Sequence, residues 1–208
     1  MECTLLFFRP FLFLQQLRQQ LISKRGSIPA QKREQYARQA WTHLRHWRRL
    51  NQFQSIACYL PVGAEFPTHY LIQGLQRLNK EIFLPIVQNN NKIRHLTFQH
   101  YQPQTPMRRN RFGITEPIPT PREEIRPPQL DLVIMPLTGF DNNGNRIGMG
   151  GGFYDRTFEF LLKRKQTPQP FMLGLGFQIQ ECEAIDSRPW DIPLDGMLTE
   201  QRINLIGI

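Results

Sequence analysis

Four glycines, two arginines and an aspartate fall within one short stretch: Arg146, Gly148, Gly150, Gly151, Gly152, Asp155 and Arg156, threaded by Ile147, Met149, Phe153 and Tyr154. Glycines let the backbone take positive φ and let a ligand approach the chain closely. If a helix starts at Phe153, the unpaired amides of its first turn attract phosphate. Arg146 and Arg156 add positive charge on either side, and Asp155 stands where a carboxylate could hold magnesium against a polyphosphate. The plainer alternative is a glycine-rich connection in which Asp155 only complements the helix dipole.

Better-known motifs do not account for this stretch. A Walker loop ends in Gly-Lys-Ser/Thr, which Gly151-Gly152-Phe153 does not supply. The dinucleotide fingerprint needs a third glycine where Phe153 stands. Asp141, Asn143 and Asn145 open like a calcium loop, but Arg146 occupies the turn-glycine position and Gly152 that of the terminal glutamate.

The surrounding elements must position these residues. Leu132 to Leu137 is an apolar run suited to a strand buried on both faces, and Asp141 to Asn145 is dense in turn formers. A helix is expected from Phe153 through Phe160 and Leu161, closed by Lys163-Arg164-Lys165. Upstream, a helix continues from Leu17 to near Gly26, and a second enters at Ser27-Ile28-Pro29 and carries Tyr36, Ala40, Leu44 and Trp47 at helical spacing. Ser55–Pro61 and Glu81–Val87 read as strands around a helix from Phe66 to Leu78. That order implies a parallel pair, with ligand groups beyond the carboxyl ends of the strands. Lys92 to Tyr101 reads as a strand, Pro103 to Pro128 as a long surface connection, Phe171 to Phe177 as a buried strand, and Gly196 to Thr199 as the last strand. The order gives an α/β fold: a three-layer α/β/α domain with a mostly parallel, Rossmann-like sheet.

At 208 residues and 40% hydrophobic content the chain reads as one domain spanning 1–208. Its net charge of +9 and pI near 9.9 favour anionic partners: polyphosphate, polyglutamate or nucleic acid. Cys3, Cys58 and Cys182 lack metal-site spacing and suit reduced thiols in the cytoplasm. Residues 1–16 form an atypical amino-terminal extension: Thr4 to Leu14 is apolar, broken by Arg9-Pro10 and too short to span a bilayer. A helix start packed on the domain is the preferred reading there, and a start near Gln15 is the alternative. The basic side of the second helix (Lys32, Arg33, Arg38, Arg45, Arg48, Arg49) reads as a solvated face. Nucleic-acid contact would need an aromatic platform that the sequence does not show. His43 and His46 lack a third metal ligand and read as surface residues.

Phe140-Asp141, Gly144, Arg146, Gly148, Gly150 to Gly152 and Phe153-Tyr154-Asp155, taken together in this order, resemble the signature of the 5-formyltetrahydrofolate cyclo-ligase family (methenyltetrahydrofolate synthetases). The resemblance extends from Leu17 to Glu200. It implies ATP- and magnesium-dependent closure of 5-formyltetrahydrofolate to 5,10-methenyltetrahydrofolate, with release of ADP and phosphate. For ATP it implies Arg18, from a Lys-x-x-Leu-Arg motif whose lysine position falls on Leu14 here, together with Arg146, Ile147, Gly148, Met149, Gly150, Gly151, Gly152, Phe153 and Tyr154. For the folate it implies Leu60, Glu65 and the Met149 to Phe153 loop. Position alone leaves Glu65 balanced between site and surface; the resemblance makes it a site residue. Phe112, in a Phe-Gly-Ile-Thr-Glu-Pro turn similar to the family's, could stack on the pterin or pack under its loop. Asp155 and Asp191 are the implied magnesium ligands, Asp191 lying in an Asp-x-Pro-x-Asp segment, and Arg146 and Asp155 the implied catalytic groups.

The expected partners are therefore ATP, Mg2+ and a folate that could be polyglutamylated, acting on a monomer, with neither membrane nor nucleic acid. Two other classes stay open at this point. One is a non-catalytic relative binding nucleic acid through the basic helix. The other is an ATP-dependent ligase for a different small formyl or carboxyl compound.

Overall fold

The computed structural model describes residues 5–90, 93–163 and 170–207. The chain opens with α1 (Leu5–Gly26) and α2 (Ala30–His46), then β1 (Ser55–Ala57), α3 (His69–Arg77), β2 (Glu81–Asn90) and β3 (Ile93–His100). A hairpin of β4 (Met107–Arg109) and β5 (Thr115–Pro117) precedes β6 (Glu124–Ile125) and β7 (Leu132–Pro136). A second hairpin, β8 (Gly139–Phe140) and β9 (Arg146–Ile147), leads through the glycine loop into α4 (Phe153–Thr157) and α5 (Phe160–Lys163). The chain continues through β10 (Phe171–Leu175), β11 (Gly196–Leu198) and β12 (Ile203–Leu205).

Eight strands form one sheet in the order β12-β11-β10-β7-β1-β2-β3-β6. Its middle, β11 to β2, is parallel, with Ala57 opposite Val133 on one side and Phe83 on the other. Outside it, β12 pairs antiparallel with β11, β3 with β2 and β6 with β3, so β6 points the same way as the middle strands. Two apolar clusters lie on the two faces. One joins Leu44, Leu71, Leu75, Ile82, Leu84, Leu132, Ile134 and Leu173 under α2 and α3; the other joins Phe83, Val133, Met135, Phe158, Met172 and Leu194 under α4. Alternate residues of the buried strands feed opposite clusters, as a two-sided parallel strand requires. The chain leaves β1 for β2 on one side and returns to place β7 on the other. The crevice outside the carboxyl ends of β1 and β7 is thus a topological switch point.

Several expected bounds shift for local reasons. β1 stops at Ala57 because the chain turns after Cys58, where the Tyr59 carbonyl accepts from Thr68 Oγ1 at 2.7 Å, and Pro61 has no N–H to give a ladder. The helix expected from Phe66 starts at His69, while Phe66 is buried in the core instead. The helix expected from Phe153 through Leu161 is two short pieces. Thr157 Oγ1 bonds back to the Phe153 carbonyl (2.7 Å), and the Leu161 and Leu162 amides donate only three residues back. Of its expected basic close, Lys163 is described, and Arg164 and Lys165 lie outside the described residues. The connection from Pro103 to Pro128 contains β4, β5 and β6, and the last strand is β12 rather than Gly196–Thr199.

The α1 helix runs without a break from Leu5 through Gly26, so residues 5–16 continue the helix expected from Leu17. Leu14, Leu17 and Leu21 lie on one helical face against Ile147 and Ile185. On α2, Arg38 stacks over Tyr70 and donates to its hydroxyl at 2.7 Å; in the turn after the helix, Arg49 lies over Phe171. His43, expected at the surface, is partly buried with Nε2 at 3.1 Å from the Glu200 carbonyl oxygen, whereas His46 is exposed. Among the described residues no helix is long and apolar enough to cross a membrane.

Candidate active site

The glycine loop is anchored from below by Asp141. This carboxylate is buried and accepts four bonds: Asn143 N (3.0 Å) and Asn145 N (2.8 Å) on Oδ1, and Asn145 Nδ2 (2.9 Å) and Ile185 N (3.0 Å) on Oδ2. It closes the turn between β8 and β9 and ties it to the segment before Asp191. Ile147 then buries its side chain against Leu21, offering only backbone to a ligand. Gly139 lets α1 come this close, since a Cβ there would stand 2.6 Å from Leu21 Cδ1.

Beyond Ile147 the chain is exposed through Gly148, Met149 and Gly150. Gly150 and Gly152 take φ of 91° and 63°, the left-handed region that side chains resist. Arg18 donates from Nε to the Gly148 carbonyl at 2.8 Å, placing its guanidinium beside Gly150. Arg156 donates to the carbonyls of Gly151 and Arg94, pinning the loop to β3. It holds the loop's shape rather than facing a ligand on the side opposite Arg146. Because α4 has five residues, its dipole is small. The groups that could take an anion here are therefore the loop amides and arginines rather than a helix amino terminus. Phe153 folds back so that its ring would meet a Cβ on Gly151, and Tyr154 stacks on Phe158 with ring centroids 6.3 Å apart. Leu14 packs with Leu17, so the motif's lysine position is apolar here and the cation at this end of the loop is Arg18.

Arg146 and Asp155 form a close ion pair, with side chains 6% and 24% exposed. Arg146 also donates to the Ile192 carbonyl, and the Ile192 amide donates to Asp155 Oδ1 at 3.2 Å. These bonds bring Asp155 and the Asp191 segment together across 36 residues. Asp191 accepts the Arg188 amide on Oδ2 at 2.8 Å. Each carboxylate thus has one oxygen taken by this network and one outside it. Magnesium uses one or two carboxylates and completes its shell with phosphate and water, and this donor set fits that habit. Among the described residues no three His, Cys, Asp or Glu side chains form a protein-only metal cage.

The opposite wall of the crevice follows β1. Leu60 packs at the edge of the α2–α3 cluster. Glu65 bends back to accept the Val62 amide at 2.9 Å. Burial raises its carboxyl above the ordinary value, and the Val62 amide and Arg25 pull it partly back. Arg25 itself is buried, donates to the Leu137 carbonyl at 3.3 Å, and has no hydrogen-bond partner for Nε among the described residues. Tyr59 and Tyr154 both feel the Glu65 charge, and burial raises both phenols well above their usual range. Glu65 therefore lies within electrostatic reach of Tyr154 and of Arg25. Burial pushes the Cys58 thiol up to about 12, which removes it as a thiolate nucleophile. Phe112 stands apart on the β4–β5 hairpin, 51% exposed and under Arg111 rather than packed beneath its loop.

Sequence reasoning passed over Arg25 and Tyr59, and it placed Asp141 in the turn without its anchoring role. Arg25 sits in a Lys-Arg-Gly helix end that reads as a solvated carboxyl terminus, and only tertiary burial marks it. Asp141 opens a turn-forming run, and its role as a four-bond anchor shows only when Ile185 arrives from downstream.

Residues 14–200 match the model of the 5-formyltetrahydrofolate cyclo-ligase family. The chain is 35% identical over 184 residues to the 5-formyltetrahydrofolate cyclo-ligase of Haemophilus influenzae, covering 88% of this chain and 96% of that one. It is 31% identical over 180 residues to the enzyme of the same name from Escherichia coli K12, covering 86% and 96%. The solved structure of 5,10-methenyltetrahydrofolate synthetase from Aquifex aeolicus superposes with a TM-score of 0.78 at 26% identity, covering 94% of this chain and 93% of that one.

Proposed function

The chain belongs to the 5-formyltetrahydrofolate cyclo-ligase family, and from that premise we propose that it converts 5-formyltetrahydrofolate and ATP to 5,10-methenyltetrahydrofolate, ADP and phosphate, using magnesium. The observation that carries this reading is the crevice at the β1–β7 switch point. One of its walls is the glycine loop with Arg18 and the Arg146–Asp155 pair, and the other carries Glu65.

The reaction has a leaving-group problem. Ring closure forms a bond from N10 to the formyl carbon and must expel the formyl oxygen, which leaves poorly as hydroxide. The formyl oxygen first attacks the γ-phosphorus, and the bond to ADP breaks. N10 then adds to the activated carbon and loses its proton. The carbon–oxygen bond breaks with its electron pair going to phosphate, leaving the methenyl bridge. Such transfer depends on positioning and charge neutralisation, with no protein nucleophile.

Each wall has its part. The amides of Gly148 to Gly151 and the guanidinium of Arg18 hold the phosphates. Arg146, fixed by Asp155 and the Ile192 carbonyl, cannot swing away, so its positive charge is preorganised. Magnesium held by Asp155 and Asp191 would neutralise charge on the phosphate oxygens. Glu65 accepts N–H groups of the pterin, Leu60 lines the apolar side, and Met149 to Phe153 cover the reacting ring. We further propose that the protein acts in the cytoplasm as one domain and as a monomer, and that it accepts polyglutamylated folate.

Substrate labelled with oxygen-18 at the formyl group tests the chemistry. Label recovered in inorganic phosphate is the expected result. Label released into water would refute phosphorylation of the formyl oxygen.

A further inference from the structure

The carboxyl end of α1 brings a cation to the end of a central strand. Arg25 is 5% exposed, and Nη1 donates to the carbonyl of Leu137, the residue that directly follows β7. The same carbonyl accepts Gln180 Nε2 at 3.1 Å, and Gln180 Oε1 accepts the Phe177 amide at 2.8 Å. The Phe177 ring lies 4.6 Å from that of Phe66, the residue after Glu65. Tyr59 Oη donates to the Phe66 carbonyl at 3.2 Å and so fastens the loop that follows β1. On the other side Thr138, next to Leu137, donates to Met149 Sδ of the glycine loop at 3.4 Å. Short contacts thus tie the place where Arg25 is held to the Glu65 loop and to the glycine loop alike.

Buried charges are ordinarily paired, because an isolated one is costly. Among the described residues Arg25 takes part in no ion pair, and its Nε has no hydrogen-bond partner. Its charge nevertheless reaches Glu65 and Tyr59. Away from water a charge acts over several ångströms without contact. The other groups coupled to Glu65 are the phenols of Tyr59, after β1, and Tyr154, on α4, and burial keeps both protonated. Arg25 is therefore the cation that offsets the burial of Glu65. Ionisation matters there because a carboxylate only accepts, whereas a carboxylic acid turns one oxygen into a donor that opposes an N–H group.

Resting on the function proposed above, we infer that Arg25 is a positioning residue for the folate: its buried guanidinium, acting through Glu65, holds that side chain as the carboxylate that the pterin N–H groups require.

The test is the pH profile of KM for 5-formyltetrahydrofolate, from mildly acid to neutral pH, in wild type, Arg25→Met, Arg25→Gln and Arg25→Lys, each with Glu or Gln at position 65. Wild type should show KM rising in acid as Glu65 takes a proton, and Glu65→Gln should abolish that dependence. Arg25 lowers the Glu65 pKa, so Arg25→Met and Arg25→Gln should move the rise to higher pH by about one unit, which raises KM about tenfold on the rising limb. Arg25→Lys keeps the charge and should restore the wild-type profile. With Gln at position 65 the neutral variants should add nothing, and KM for ATP should not follow the shift. Gln180 still serves the Leu137 carbonyl in either neutral variant, and if one does not fold the other reads the same shift. A KM raised equally at every pH, or raised as much with Gln at position 65, would reduce Arg25 to a structural role and overturn the inference. A wild type without an acid rise that Glu65→Gln removes would overturn it as well. Failure of the wild type to cyclise at any pH would instead overturn the function on which it rests.

Discussion

Asp155→Asn separates two jobs that one carboxylate does. In the folded chain Asp155 faces Arg146, whose side chain is 6% exposed, and also receives the Ile192 amide. Asparagine keeps an oxygen that can accept both bonds, so the substitution removes charge and leaves shape. Exposed ion pairs are worth about 0.2–1 kcal/mol, whereas breaking a fully buried pair costs about 3–5 kcal/mol. With Asp155 itself 24% exposed, the loss falls between these, near 2 kcal/mol. For a chain of this length each kcal/mol moves the melting midpoint by about 2–4 °C, so a drop of about 4–8 °C is expected. The substitution is therefore not silent for stability. Turnover should fall much further, by about 10²–10³-fold, because the same charge aligns Arg146 and balances the phosphoryl group. Thermal unfolding and single-turnover cyclisation at a temperature where the variant remains folded read the two effects separately. Turnover close to wild type would remove Asp155 from the chemistry. An unchanged midpoint would show that Arg146 has another counter-charge, contrary to the observed pair.

Three further predictions follow the same geometry. Glu65 has its pKa raised on folding, so its ionised form subtracts stability above the ordinary carboxylate range, and that penalty fades as pH falls through the raised value. Glu65→Gln should thus melt higher at neutral pH, by about 0.5–2 kcal/mol, with the gain vanishing in acid, while KM for the folate rises about tenfold or more. A lower midpoint at neutral pH would contradict the assigned burial. A Cβ in Gly150→Ala meets only the Arg18 guanidinium, at 3.9 Å, so its cost is backbone strain at φ 91°, about 1–2 kcal/mol; KM for ATP and KM for the folate should both rise, because the loop serves both substrates. Asp141→Ala strands the buried donors of the loop and should cost about 3–5 kcal/mol, read as a lower urea midpoint. A variant as stable as wild type would show that the turn does not depend on this anchor.

The central strands were legible in the sequence because they are buried on both faces. Leu132 to Pro136 and Phe171 to Leu175 are continuous apolar runs, and no other element of that length fits. The glycine loop was legible because it concentrates residues that only an unusual backbone needs. Elements held by partners distant in sequence were not. The first strand looked longer than it is, since nothing local announces that Thr68 will capture the Tyr59 carbonyl. The helix after the loop looked continuous, since its break depends on Thr157, which also accepts the Leu96 amide from β3 at 2.8 Å. Within the candidate site, the structure does bring Asp155 onto Arg146 and Arg18 onto the glycine loop. The meeting of Asp155 with the Asp191 segment, and the burial of Arg25, belong to tertiary structure alone. Arg156 shows the converse. Its charge suggested a phosphate contact, and the fold uses it to pin the loop to β3.

The central claim is that this crevice couples ATP to ring closure of a formylated folate. The most direct measurement is the appearance of methenyltetrahydrofolate absorbance when purified protein meets 5-formyltetrahydrofolate, with ATP and magnesium supplied together, singly and not at all. A signal only when both are present, with one ADP formed per methenyl group, is the predicted result. Folded protein that produces no methenyl signal under any of these conditions would contradict the account.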